Sequence, residues 1–110
     1  MMTNEDHKRI AEDIMGWTVH DINGVLTYDD DDITAATLPK FDEPIAALMA
    51  LSMWINGDRR FIMRGRLRLG GEKWIQVELR SESMPWNNCF GVGQTPEEAI
   101  ANALAEWTRP

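Results

Sequence analysis

Three features of the sequence predict an α+β protein: an antiparallel sheet of about five strands with helices packed on it, in the order α-β-β-α-β-β-β-α. Residues 59–80 alternate apolar and polar side chains on both sides of Gly70-Gly71, the two-residue period of paired strands. Asn23-Gly24 joins two short runs rich in β-branched and aromatic residues, a strong local hairpin signal. Near the end, Thr95-Pro96-Glu97-Glu98 opens a stretch whose apolar residues recur at helical spacing.

In chain order, a first helix is expected over residues 4–15. Thr3 or Asn4 caps it, and Glu5 and Asp6 sit in the first turn, where the helix dipole favours acids. Ile10, Ala11, Ile14 and Met15 form its apolar stripe, and Gly16 ends it in a left-handed cap. Residues 17–22 and 25–29 form the Asn23-Gly24 hairpin, with Val19 opposite Tyr28 and His20 opposite Thr27. A second helix begins near Asp42, has Pro44 in its first turn and reaches Trp54 or Ile55. Its buried face is taken as Ile45, Leu48, Met49, Ser52 and Ile55, with Ala46, Ala47 and Ala50 small enough to admit close approach to the sheet.

The central hairpin has an apolar face (Phe61, Met63, Leu67, Leu69, Ile75, Val77, Leu79) and an arginine face (Arg64, Arg66, Arg68, Trp74, Arg80). A three-residue loop, Gly70-Gly71-Glu72, pairs Leu67 with Ile75, Arg64 with Glu78 and Arg68 with Trp74; a two-residue loop would mix the faces. After a polar loop containing Pro85, residues 89–93 form a short last strand. Its glycines, Gly91 and Gly93, read as sites of close backbone packing. Phosphate binding at the following helix is disfavoured because Glu97 and Glu98 occupy its first turn. That helix buries Ala99, Ile100, Ala103, Leu104 and Trp107.

The 110 residues suit one domain, 1–110, able to bury about two-thirds of its unfolded surface. The lone Cys89 excludes an internal disulfide and suits a reducing cytoplasm. A polar N-terminus argues against a signal peptide, and the apolar runs are too short to span a bilayer. Net charge is −7 and unevenly placed: residues 1–58 hold twelve acids and three bases, whereas residues 59–80 hold seven bases and two acids. So acidic a chain is repelled by nucleic acid at long range, and direct nucleic-acid binding is not expected.

The sequence shows no catalytic constellation, cofactor motif or metal-ligand spacing. His7, His20 and Cys89 fall on separate elements, and Cys89 reads as a core residue, so the protein is read as a non-enzyme without cofactor. Two surfaces remain. Asp29, Asp30, Asp31 and Asp32 lack the alternating spacing of a calcium loop; they form a solvated loop or an acidic patch that presents phosphate-like charge to a basic partner protein. Arg64, Arg66, Arg68, Trp74 and Arg80 combine cations with a stacking surface, which suits an anionic nucleotide, a subunit contact or a solvated face.

Ile14-Met15-Gly16-Trp17, Leu38-Pro39-Lys40-Phe41-Asp42 and Phe90-Gly91-Val92-Gly93-Gln94-Thr95-Pro96-Glu97-Glu98-Ala99-Ile100 together resemble the phage ABA sandwich domain family of small bacteriophage proteins. The resemblance spans the chain and implies an α/β/α arrangement and a phage or prophage origin, without catalytic residues. Two functions are then expected in the cytoplasm of an infected host. One is an anti-defence inhibitor that contacts a host protein through acidic surfaces around residues 29–32. The alternative is a sponge that sequesters an anionic nucleotide signal on the arginine face. Burying that face under helices would be costly, so it is expected to stay partly open or to meet a second subunit.

Overall fold

The computed structural model describes residues 2–67, 71, 73–84, 86 and 88–110. The chain runs α1 (Asn4–Asp13), β1 (Thr18–Ile22), β2 (Val25–Asp29), β3 (Ala36–Thr37), α2 (Pro44–Trp54), β4 (Arg59–Leu67), β5 (Lys73–Ser81), β6 (Cys89–Gly93) and α3 (Pro96–Thr108). The α+β class stands, but the strands form two antiparallel sheets of three, β1-β2-β3 and β4-β5-β6, in place of one sheet of about five. The expected order gains one element, the two-residue β3, which pairs with β2 and closes the first sheet.

Local chemistry sets the helix ends. Thr3 caps α1 with a full capping box, its hydroxyl accepting from the Asp6 N–H while Asp6 accepts from the Thr3 N–H. Gly16 takes φ 74°, and the N–H groups of Met15 and Trp17 close back onto Ile10 and Ala11 carbonyls. Thr95 caps α3 by accepting from the Glu98 N–H, with Pro96 in the first turn. Asn23 and Gly24 both have positive φ, as a tight two-residue hairpin turn requires, and Val19–Tyr28 and His20–Thr27 pair as the sequence implies.

Helix α3 organises the core. It covers β5 and β6 on one side and meets α1 and α2 on others, and Ala99, Ile100, Ala103 and Leu104 are buried. Gly91 is what lets β6 approach: a Cβ there would collide with the Ala99 carbonyl oxygen and the Ala103 amide and lie 2.7 Å from Ala103 Cα. A Cβ on Gly93 would come within 2.8 Å of Ala99 N. Close backbone packing is therefore what both glycines provide. Strand β4 lies outside the helix layer, packs chiefly on β5 and leaves Phe61 and Met63 exposed.

The central hairpin keeps its two faces but not its expected register. Leu67 pairs with Lys73, Arg66 with Trp74, Arg64 with Gln76 and Phe61 with Leu79, a shift of two residues from the Leu67–Ile75 pairing. A shift of two leaves each side chain on its own face, so burial does not penalise it as it would a shift of one.

Helix α2 corrects a second expectation. Its buried residues are Ala46, Ala47, Ala50, Leu51 and Trp54, whereas Ile45, Leu48, Met49, Ser52 and Ile55 face outward. Every residue of this helix is apolar except Ser52, so helical periodicity selects no face. The alanine side turns inward, where α2 packs on the alanine-rich α3, and Trp54 meets Trp107 edge-on at 5.2 Å. Arg59 stacks over both indoles, 5.7 and 5.3 Å from the ring centroids. Leu51→Ala is expected to cost about 2–5 kcal/mol in a chemical-denaturation experiment, and Leu48→Ala less than about 1 kcal/mol. Equal costs would show that the helix is rotated.

Candidate functional site

The arginine face belongs to the outer side of the second sheet. The register sets Ile62 and Arg64 on β4, Trp74, Gln76, Glu78 and Arg80 on β5, and Phe90 and Val92 on β6 on one face. Glu78 lies at its centre, flanked by Ile62 and Phe90, and is only 4% exposed although no helix layer covers it. Its carboxylate is clamped from two sides. Arg80 Nε donates to Oε2, and Arg64 Nη1 donates to Oε1 at 3.4 Å. The bond from Arg80, reinforced by Arg64 and opposed by burial, holds the Glu78 carboxyl below the usual glutamate range. Both arginine side chains are about half exposed, so the face stays open, as charged side chains require. Arg68 and the side chain of Arg66 lie outside the described residues, and with them the expected Arg68–Trp74 contact. The exposed Arg60 pairs with Glu82 at the rim. Beside it is a hollow of about 380 Å³ lined by Arg60, Phe61, Ile62, Arg80, Ser81, Glu82 and Asn88.

The acidic loop is built differently. Asp29 Oδ1 accepts from the Ala35 N–H at 2.6 Å, and its Oδ2 meets His20 Nε2 at 2.9 Å. These bonds, the Ala35 amide first, lower the Asp29 pKa. Asp30 Oδ1 accepts from the N–H groups of both Asp32 and Ile33 at 2.8 Å, and the Asp30 N–H returns to the Ile33 carbonyl. Ala35 is held at φ 54°, a left-handed conformation unusual for a residue with a Cβ. Two aspartates therefore shape the loop, and Asp31 and Asp32 remain exposed beside the exposed Ile33. The sequence groups the four as one acidic surface; the structure divides them into two that anchor and two that project.

Three further residues carry more structure than their sequence context suggests. His7 is buried on α1, and its Nδ1 accepts the Phe41 N–H at 3.0 Å. Asp58 accepts from the Ser83 N–H, which ties the start of β4 to the turn after β5, and hydrogen bonds from Ser83 lower its pKa. Cys89 is buried on β6, and that burial raises its thiol pKa, as expected of a core residue. Among the described residues no three His, Cys, Asp or Glu side chains are grouped to hold a metal ion, and no helix is long and apolar enough to cross a membrane. Another hollow, of about 560 Å³, is lined by Met2, Lys40, Asp42, Glu43, Glu98 and Asn102, a mixed set without a convergent catalytic group.

Fold and surface together describe an α+β protein whose polar sites are an internally clamped glutamate and a preformed acidic loop. Comparison with protein-family models, curated proteins and solved structures finds no match to this chain.

Proposed function

We propose that the protein is a phage- or prophage-encoded, non-catalytic accessory protein that inhibits a host defence component by direct contact, with the acidic loop as the contact element. The phage setting rests on the family resemblance alone. The observation that supports the contact is the division of labour among the aspartates. Asp29 and Asp30 hold the loop through backbone and His20 hydrogen bonds, which leaves Asp31 and Asp32 projecting from a preorganised turn beside Ile33. A rigid loop loses little entropy on binding, and two exposed carboxylates next to an apolar side chain provide the charged rim and apolar centre of a protein interface.

The sponge reading has less support. A bound nucleotide phosphate would have to displace the Glu78 carboxylate, which already occupies the acceptor position between Arg64 and Arg80. Replacing that buried, doubly paired group is costly, so the arginine face favours a structural role.

The test follows from the anchors. Asp31→Asn with Asp32→Asn should weaken capture of a host protein from lysate roughly tenfold at low salt and flatten the salt dependence, with thermal stability unchanged. Asp30→Asn is the contrasting variant: it keeps an acceptor oxygen for the loop and should bind nearly as well. A host protein captured equally by the parent and the double variant would refute the acidic-loop contact.

A further inference from the structure

Among the described residues, the outward side of α2 is an apolar surface that neither the fold nor the acidic loop accounts for. Ile45 is 83% exposed, Leu48 60% and Met53 54%, with Met49 and Ile55 also exposed. These side chains recur at positions 45, 48, 49 and 53, a single stripe along one side of an α-helix. The exposed apolar area is on the order of 500 Å², near the upper end of what unpartnered monomers display. A helix that is apolar on every side is normally covered on every side, and α2 is covered only where it meets the core. At eleven residues it is far too short to enter a bilayer as a span. Its outward side therefore calls for a protein partner.

We propose that the partner is a second copy of this chain, joined through an antiparallel, two-fold pairing of α2 against α2. Charge points to this occupant. Two copies of a chain with net charge −7 repel over most of their surfaces, but residues 44–57 contain no charged side chain at all. This is where like copies can approach without opposing charges of the same sign. The helix ends then select the antiparallel arrangement. Parallel packing would set Asp42 and Glu43 of one copy beside Asp42 and Glu43 of the other, which like charges disfavour, whereas antiparallel packing keeps these acids apart. Shape agrees. A two-fold axis near Met49 puts Met53 of each copy toward the start of the other's stripe. There Pro39, Pro44, Ile45, Ala46 and Met49, with Glu43 at the helix entry, line a hollow of about 400 Å³, and an unbranched methionine adapts well to such a gap. The competing route, pairing of the open β4 edges, would bring together two strands that each carry Arg59, Arg60 and Arg64, which like charges disfavour.

A standard interface removes about 800 Å² from each partner. The α2 face alone is smaller, so the dimer is weak and concentration-dependent. Sedimentation equilibrium up to about 1 mM should show the parent approaching twice its 12.6 kDa mass. Leu48→Glu and Met53→Glu should each remain monomeric with unchanged circular dichroism, because neither side chain supports the fold. Independently, Met49→Cys should form a covalent dimer on mild oxidation, with the buried Cys89 left unmodified. A parent monomeric throughout, or a dimer kept by Leu48→Glu but lost in Arg64→Glu, overturns the proposal; the first result hands the α2 face to a different protein and the second moves the interface to the arginine face. Host capture by the acidic loop is a separate measurement, and its loss in the Asp31/Asp32 variant leaves this result unaffected.

Discussion

Gly91→Ala is expected to be a severely destabilising small substitution, costing about 3 kcal/mol or more, a large share of an ordinary total margin of about 5–15 kcal/mol. The added methyl has no flexible neighbour to displace. It meets backbone atoms of Ala99 and Ala103, so accommodating it requires β6 and α3 to move apart. That separation would open the packing of Val77, Leu79, Ile100 and Leu104, all fully or almost fully buried. Gly65→Ala is the control, because a Cβ there points into open space and φ is not positive. Urea unfolding of the two variants provides the comparison. A Gly91 variant within 0.5 kcal/mol (about the scatter of a neutral surface change) would mean that the β6–α3 contact is looser than the structure shows.

Some of this architecture was legible because it depends on local chemistry. Thr3, Gly16, Asn23-Gly24 and Thr95-Pro96 each impose a conformation through atoms no more than a few residues away, and each forms the expected structure. The two faces of the central hairpin were legible for a related reason, since period two is a property of any strand. Its register was not. A slip of two preserves both faces, so only the turn itself can decide, and Gly70 and Glu72 there lie outside the described residues.

The failures have tertiary causes. Helix α2 is apolar all round, and the choice of its alanine side depends on α3, some fifty residues onward, so the pattern within α2 could not show it. Glu78 alternates onto the polar face as expected. Its burial comes from Arg64 and Arg80 folding over it, together with Ile62 and Phe90 on flanking strands. The division of the strands into two sheets likewise depends on which edges meet in space. In the acidic loop, four identical residues gave no sign that Asp29 and Asp30 anchor while Asp31 and Asp32 project. That distinction required Ala35 and Ile33 to come within hydrogen-bonding distance.

Phe41→Ala should cost about 3–5 kcal/mol, because its fully buried ring is the plug that joins the first half of the chain to the core. The ring lies 6.1 Å from Trp17, which stacks on Tyr28 of β2 at 4.0 Å, and 6.2 Å from His7 of α1. Its backbone adds a pH-dependent tie. The Phe41 N–H can donate to His7 Nδ1 only while that nitrogen is unprotonated, so the fold requires neutral imidazole. Burial lowers the His7 pKa below 6.5, against the attraction of Asp42, Asp6 and Glu43 and with a smaller contribution from Lys40 in the same direction as burial. The sign follows: below pH 6.5 the unfolded chain takes up a proton that the folded chain resists, so this stability is complete above that pH and is lost as pH falls toward the folded value. The carboxylates with lowered pKa values, Asp6, Asp29, Asp58 and Glu78, exert their pH effect further into acid. Measured between pH 7.5 and about pH 5, the parent should lose stability, and His7→Asn, which offers an uncharged acceptor oxygen near the Nδ1 position, should lose much less. Parallel pH profiles for the two proteins would show that His7 does not hold Phe41 in the way its geometry indicates.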